Sequence, residues 1–176
     1  MNRALAVVTI LIVVIAATLA VTVWRVRFRV PFERRYDAAR NDLELGLHAQ
    51  ALPVLQQAVR VYRGTPRQAE ALYALARCES ALDPTNTATW HAVLTVHTAA
   101  LVRAEAQYHL AVTDPNRLAT LRQYIETYPD APWTAQAREE LGEAAWSAGN
   151  REEAAAYWQR LLDAQPMSPE AARVVE

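Results

Sequence analysis

The side chains in this 176-residue chain that could do chemistry are four histidines, one cysteine and a short run of glutamates. To hold a metal from one helix, His48, His91, His97 and His109 would need spacings of three or four. His91 and His97 are six apart, which sets them on different faces, and the other intervals are longer. All four read as packing or surface residues. Cys78 stands alone, which excludes an internal disulfide and a cysteine-built metal site, and on its alanine-rich stretch it reads as a small buried apolar residue. Glu139, Glu140 and Glu143 could be a carboxylate cluster for acid–base work, but on a helix they read as a solvated face. No Gly-x-Gly-x-x-Gly, phosphate-binding loop or nucleophile elbow occurs, and four glycines leave little scope for one. The expectation is a non-enzymatic protein with no cofactor, no metal and no small-molecule substrate.

Such residues need elements to carry them, and the composition says which. Hydrophobic residues make up 52% of the chain, alanine is abundant, and no alternating pattern suggests strands. That points to an all-α protein, long enough for one domain with a real core and an appendage. Charge is unevenly spread. Residues 1–35 hold six arginines against Glu33, whereas residues 36–176 hold 12 arginines against 18 acids, so the larger part is acidic by six. A phosphate-neutralising surface needs the opposite sign, which argues against nucleic acid as a partner.

The appendage is amino-terminal. After a short tail (1–3), residues 4–24 are free of charge, and as a helix rising ~1.5 Å per residue they would cross a ~30 Å hydrocarbon core. The segment 4–30 is therefore read as a single transmembrane helix with an arginine-rich juxtamembrane end. The competing reading is a cleaved signal peptide, for which Thr18-Leu19-Ala20 is a poor site. Arg25, Arg27, Arg29, Arg34 and Arg35 against Arg3 put the following domain in the cytoplasm by the positive-inside rule, at a bacterial inner membrane. The alternative is the periplasm. Trp24, Phe28 and Phe32, at spacing four, form an aromatic stripe at the membrane interface together with Arg25, Arg27 and Arg29. These residues either anchor and snorkel, or recognise anionic lipid or a neighbouring subunit. Pro31 is expected to end or kink the membrane helix.

From 33 to 176 the pattern is amphipathic and repeats. In 141–166, LGEAAWSAGNREEAAAYWQRLLDAQP, the apolar and small residues fall at Leu141, Gly142, Ala145, Gly149, Ala154, Trp158, Leu161 and Pro166. That spacing describes two antiparallel helices turning at Gly149-Asn150, with Gly142 and Ala154 allowing close approach and Trp158 and Leu161 filling the space between. A hairpin of this kind cannot bury its apolar faces alone, so further copies are expected. The stretch resembles a tetratricopeptide repeat, a 34-residue helix-turn-helix unit, although that family's first aromatic position falls on Arg138.

Weaker copies precede it. Gly46, Ala51, Leu55 and Ala58 repeat the spacing of Gly149, Ala154, Trp158 and Leu161, with helices over 33–47 and 49–62. A second unit opens at Thr65 or Pro66, carries Leu72, Leu75, Ala76 and Glu79, breaks at Asp83-Pro84 and continues over 87–96 with Ala88 and Ala92. The third, over 98–112 and 115–128, keeps Ala104, Tyr108, Leu121, Tyr124 and Pro129 but has Arg117 where a small residue is expected. The Tyr128-Pro129-Asp130 linker is similar to those of bacterial envelope repeat proteins. A short helix over 168–175 would cap the stack. The fold is thus read as a tetratricopeptide-like α-solenoid of about four helix hairpins on one transmembrane helix.

The resemblance implies a scaffold for protein contacts in which the first helix of each pair lines a groove. Carried over by position, the partner-binding candidates are Tyr36, Arg40, Tyr73, Arg77, His109, Glu139, Glu143 and Trp146. Trp146 is either an exposed hot spot, whose loss would cost the fold little, or a residue packed against the terminal helix. Two functions fit. One is a membrane-tethered scaffold holding partner proteins. The other is an accessory structural subunit of a large membrane protein complex, with the transmembrane helix packed into the assembly.

Overall fold

The computed structural model describes residues 3–24, 30–164, 166 and 168–175, and the side chains of 12–23, 30–164, 166 and 168–174. Every described element is a helix. The first, α1 (Arg3–Trp24), has 22 residues, about 33 Å at 1.5 Å each. The two threonines with described side chains satisfy their hydroxyls internally. Thr18 Oγ1 donates to the carbonyl oxygens of Val14 (3.0 Å) and Ile15 (2.8 Å), and Thr22 Oγ1 to that of Thr18 (2.7 Å), so they present little unpaired polarity. All the described side chains of α1 are exposed. Among the described residues no helix is long and apolar enough to cross a membrane; the side chains of α1 described are 12–23, about 18 Å of helix. The membrane expectation rests on the whole of 4–24. Arg25, Arg27, Phe28, Arg29 and the side chain of Trp24 lie outside the described residues.

Four hairpins follow: α2 (Val30–Glu44) with α3 (His48–Val61), α4 (Gln68–Leu82) with α5 (Ala88–Thr95), α6 (Ala100–Thr113) with α7 (Arg117–Thr127), and α8 (Thr134–Ser147) with α9 (Arg151–Ala164). A last helix, α10 (Pro169–Val175), closes the series. From α2 on, each helix packs on the next in chain order, α2 also touches α4, and α10 rests on both α8 and α9. Pro31, expected to end or kink the amino-terminal helix, lies within α2, and residues 25–29 between the two helices are outside the described residues. It sits in the first turn of α2, where an absent N–H costs nothing. That helix also stops three residues short of the expected 47, because Gly46 turns the chain at φ +75°.

Two chemistries make the turns. At Gly149 (φ +84°) the Asn150 N–H reaches the Ala145 carbonyl (2.9 Å) and the Gly149 N–H the Trp146 carbonyl (3.0 Å), a Schellman motif. Gly46 repeats it, with the Leu47 N–H on the Asp42 carbonyl (2.8 Å) and its own N–H on Leu43 (3.1 Å). The two middle hairpins instead turn on aspartate: Asp83 Oδ1 accepts from the Thr85 N–H (3.0 Å), and Asp114 Oδ1 from the Asn116 N–H (2.6 Å).

The core is divided along the stack. Tyr36, Ala39, Leu43, Ala51, Leu55 and Ala58 are buried between α2 and α3 and continue onto Ala71, Leu75 and Cys78 of α4. Leu72, Ala76, Trp90, Val93 and Ala106 form the next cluster, then Ala111, Leu121, Tyr124, Ala137 and Leu141, and finally Ala135, Leu161 and Ala171. A core cut into neighbour-to-neighbour blocks is how a solenoid holds together. Cys78 is buried, and its thiol donates to the His48 carbonyl (3.2 Å).

The tightest approach is between α8 and α9. A Cβ built on Gly142 would lie 2.2 Å from Trp158 Nε1 and 2.6 Å from Cδ1. Leu161 is buried as expected, but Trp158 lies across Gly142 and stays partly exposed. Gly142→Ala should lower stability by about 1 kcal/mol, the overpacking outweighing the better helix propensity of alanine. In a Trp158→Ala background the same change should stabilise by about 0.5–1 kcal/mol. Urea unfolding of the four proteins measures this sign reversal, and additive effects would show that the indole does not occupy that space.

Candidate functional site

The candidate residues belong to the face built from the first helix of each hairpin, where a ladder of polar links joins one unit to the next. Arg40 Nη1 of α2 meets Glu70 Oε1 of α4 at 2.6 Å, and Arg77 Nη1 of α4 returns to Glu44 Oε1 of α2 at 2.8 Å. Tyr73 of α4 donates its hydroxyl to Glu105 Oε2 of α6 (2.6 Å), and Tyr108 of α6 to Glu140 Oε1 of α8 (3.3 Å). Arg173 of α10 grips Glu139 of α8 with two bonds, at 2.5 and 2.6 Å. Partners in these links are 30, 33, 32, 32 and 34 residues apart, so each joins similar positions of successive units.

The middle of this face is the densest. Tyr73, Arg77 and His109, all sequence candidates, come together with Glu44, Glu105 and Trp90, which sequence reasoning missed. The Arg77 guanidinium lies 5.7 Å from the centroid of the Tyr73 ring. Trp90 of α5 is stacked on His109 of α6 at 4.5 Å and 9°, and meets the Tyr73 ring edge-on at 6.2 Å. Glu105 is buried at 7% exposure, with Oε1 4.0 Å from His109 Nε2. Burial pushes the Tyr73 hydroxyl up to about 12, helped by its bond to Glu105. Burial also raises the Glu105 carboxyl above the usual carboxylate range and lowers the His109 imidazole below its usual value. A signal for Glu105 was present: an acid set between Ala104 and Ala106, both buried.

Three candidates are corrected. Tyr36 presents nothing to a partner. It is 0% exposed, its ring edge-on to Tyr62 at 5.2 Å, with the Arg67 guanidinium 5.3 Å from its centroid. Burial pushes its hydroxyl up to about 12. Phe32, expected at the membrane interface, is likewise core at 8% exposure and packs on Tyr62 at 5.8 Å. Glu139 is buried at 8% by the Arg173 clasp, so the glutamates are not one solvated face. Glu140 pairs with Arg117, which explains how that unit accommodates an arginine where a small residue was expected. Only Glu143 of the three is exposed, in an open cleft with Arg117, Leu118, Ala144 and Ser147.

Arg40 is exposed and shares a shallow cleft with Asp37, Asn41 and Glu44. Trp146, at the end of α8, is 47% exposed. It packs on Trp158 of α9 (5.5 Å) rather than on the terminal helix, and the Arg151 guanidinium lies 3.5 Å above its ring. Its truncation should therefore cost the fold about 1 kcal/mol, more than an isolated surface residue would. Among the described residues no group of three histidine, cysteine, aspartate or glutamate side chains could hold a metal ion.

A tetratricopeptide-repeat family model matches residues 36–82 and 139–174. The matches support a tetratricopeptide repeat family, whose members serve as protein-interaction modules. No curated protein matches the chain. The matched stretches contain the turns at Gly46 and Gly149, and the unmatched middle contains the turns at Asp83 and Asp114. The ladder runs through both.

The His109 shift has a testable sign. A depressed imidazole pKa contributes stability that is present above the unfolded value, about 6.5, and lost as pH falls through the lower folded value. Wild type should lose more stability than His109→Gln between pH 7.5 and pH 5 by urea titration. Equal losses would mean that His109 titrates as it does in the unfolded chain.

Proposed function

We propose that the protein is a membrane-anchored scaffold that holds partner proteins, subunits of a membrane complex among them, on the face of α2, α4, α6 and α8. The observation that carries this is the pairing of a 22-residue helix, uncharged over 4–24 and exposed at all its described side chains, with a stack of hairpins whose matched units are interaction modules. In lipid such a helix satisfies its backbone within itself and Thr18 and Thr22 on its own carbonyls, which supports the anchor reading. The face offers Arg40, Arg77 and Glu143 as polar contacts and Trp146 as a large, half-exposed anchor, the residue type that dominates interface energetics. Tyr73 and His109 contribute less directly, by holding Glu105 and Arg77 in place.

The full chain purified in mild detergent from its native membrane should retain a stoichiometric partner. Arg77→Ala and Trp146→Ala should each weaken that complex by about 2 kcal/mol or more, while Trp146→Ala lowers melting stability by only about 1 kcal/mol. Unchanged partner retention in both variants would show that the partner sits elsewhere.

Orientation follows from the arginines after Trp24 against Arg3, which support a cytoplasmic repeat domain at a bacterial inner membrane. Protease added to intact spheroplasts should leave the repeats undigested. Cleavage without permeabilising the membrane would put them in the periplasm.

A further inference from the structure

The end of the first hairpin nearest α1 differs from the rest of the repeat domain. The start of α2 and the end of α3 lie side by side there: Phe32 packs on Tyr62 at 5.8 Å, and the Tyr62 hydroxyl donates to Glu33 Oε2 at 2.8 Å. Around that contact Arg34 and Arg35 of α2, and Arg60 and Arg63 at the end of α3, are all exposed. Between them stand two exposed valines, Val30 at 41% and Val61 at 50%.

Elsewhere on the domain six arginines, Arg40, Arg67, Arg77, Arg117, Arg122 and Arg173, meet a carboxylate, and the four that form no ion pair among the described residues, Arg103, Arg138, Arg151 and Arg160, are spread over α6, α8 and α9 rather than gathered at one end. Arg34, Arg35, Arg60 and Arg63 also form no ion pair among the described residues. The nearby acid Glu33 is already bound to Arg67, so it does not cancel their field. Residues 30–37 and 58–67 together hold five arginines against Glu33 and Asp37, on a domain that is acidic by six over 36–176. The helix dipole does not account for Arg34 and Arg35, which lie near the amino end of α2, where it disfavours a cation.

Covalent geometry limits where this end can go. Five residues separate Trp24 from Val30, and even fully extended the six steps between them span no more than about 21 Å. If α1 is inserted in a bilayer, the basic end is held within reach of the headgroups on that side. From this position, the four gathered arginines without carboxylates and the flanking valines, we propose that the α2–α3 end docks on an anionic lipid surface. In that contact Arg34, Arg35, Arg60 and Arg63 meet phosphate groups while Val30 and Val61 enter the headgroup layer. The contact rests on the anchor reading of α1. It would hold the repeat stack against the bilayer rather than leave it swinging on a tether.

The test uses the full chain. Val61→Cys gives a labelling site for an environment-sensitive fluorophore, because the native Cys78 is buried. The labelled protein is reconstituted in vesicles of phosphatidylcholine alone and of phosphatidylcholine with phosphatidylglycerol, and floated on a density gradient. The expected result is flotation with both, and a blue-shifted emission on the anionic vesicles only. Molar salt, or Arg34→Gln, Arg35→Gln, Arg60→Gln and Arg63→Gln combined, should abolish the shift with helicity unchanged, each arginine alone costing about five-fold in the docking equilibrium. Flotation with the probe in water on both vesicles overturns the contact and leaves the anchor standing. A blue shift of equal size on both overturns it too, since the charge would be idle. A chain that does not float overturns the anchor, and the contact with it.

Discussion

No hairpin of this protein encloses its own apolar surface, so successive hairpins must meet in register, and the register is fixed by the links between first helices. Glu70, Glu105, Glu140 and Glu139 each receive a tyrosine or arginine from a neighbouring unit about one repeat away. A slip of one residue would turn these partners about 100° apart around the helix and leave the partly buried acids Glu105 and Glu139 unpaired, a costly outcome. The apolar blocks supply the attraction, while the carboxylates decide which way each block sits on the next.

The same arrangement ties structure to candidate function. The side chains of this ladder stand on the face where the first helices adjoin, which is also the face a partner would read. Arg40 and Arg77 therefore combine two roles, being partnered by Glu70 and Glu44 yet exposed enough to be shared with another chain. Tyr73 and His109 lie deeper, held by Glu105 and Trp90, and make the platform stiff rather than adhesive.

Much of the fold was legible because helical spacing and turn residues are local. The glycine hairpins were readable from Gly46 and Gly149, positions that need positive φ, and the second hairpin from Asp83-Pro84, which ends a helix for a different local reason. The core positions Leu55, Leu121, Leu141 and Leu161 followed from periodicity. The site was less legible because its contacts are long-range. Tyr36 and Phe32 read as groove and membrane residues, yet both are claimed by Tyr62, some thirty positions later. Glu139 reads as solvated from its own helix, yet Arg173, in a helix of seven residues, binds its carboxylate. Position on a repeat tells which helix carries a side chain, and only the neighbouring unit tells whether that side chain is free.

That last helix has a further consequence. α10 lies where the first helix of a fifth unit would stack. It buries Ala171 and Glu170 inward and turns Pro169, Ala172 and the aliphatic stem of Arg173 outward. A hairpin from a second molecule would find no row of leucines there to cover. α10 thus caps the described stack with a surface of small and charged side chains, one that offers another helix little apolar area to cover.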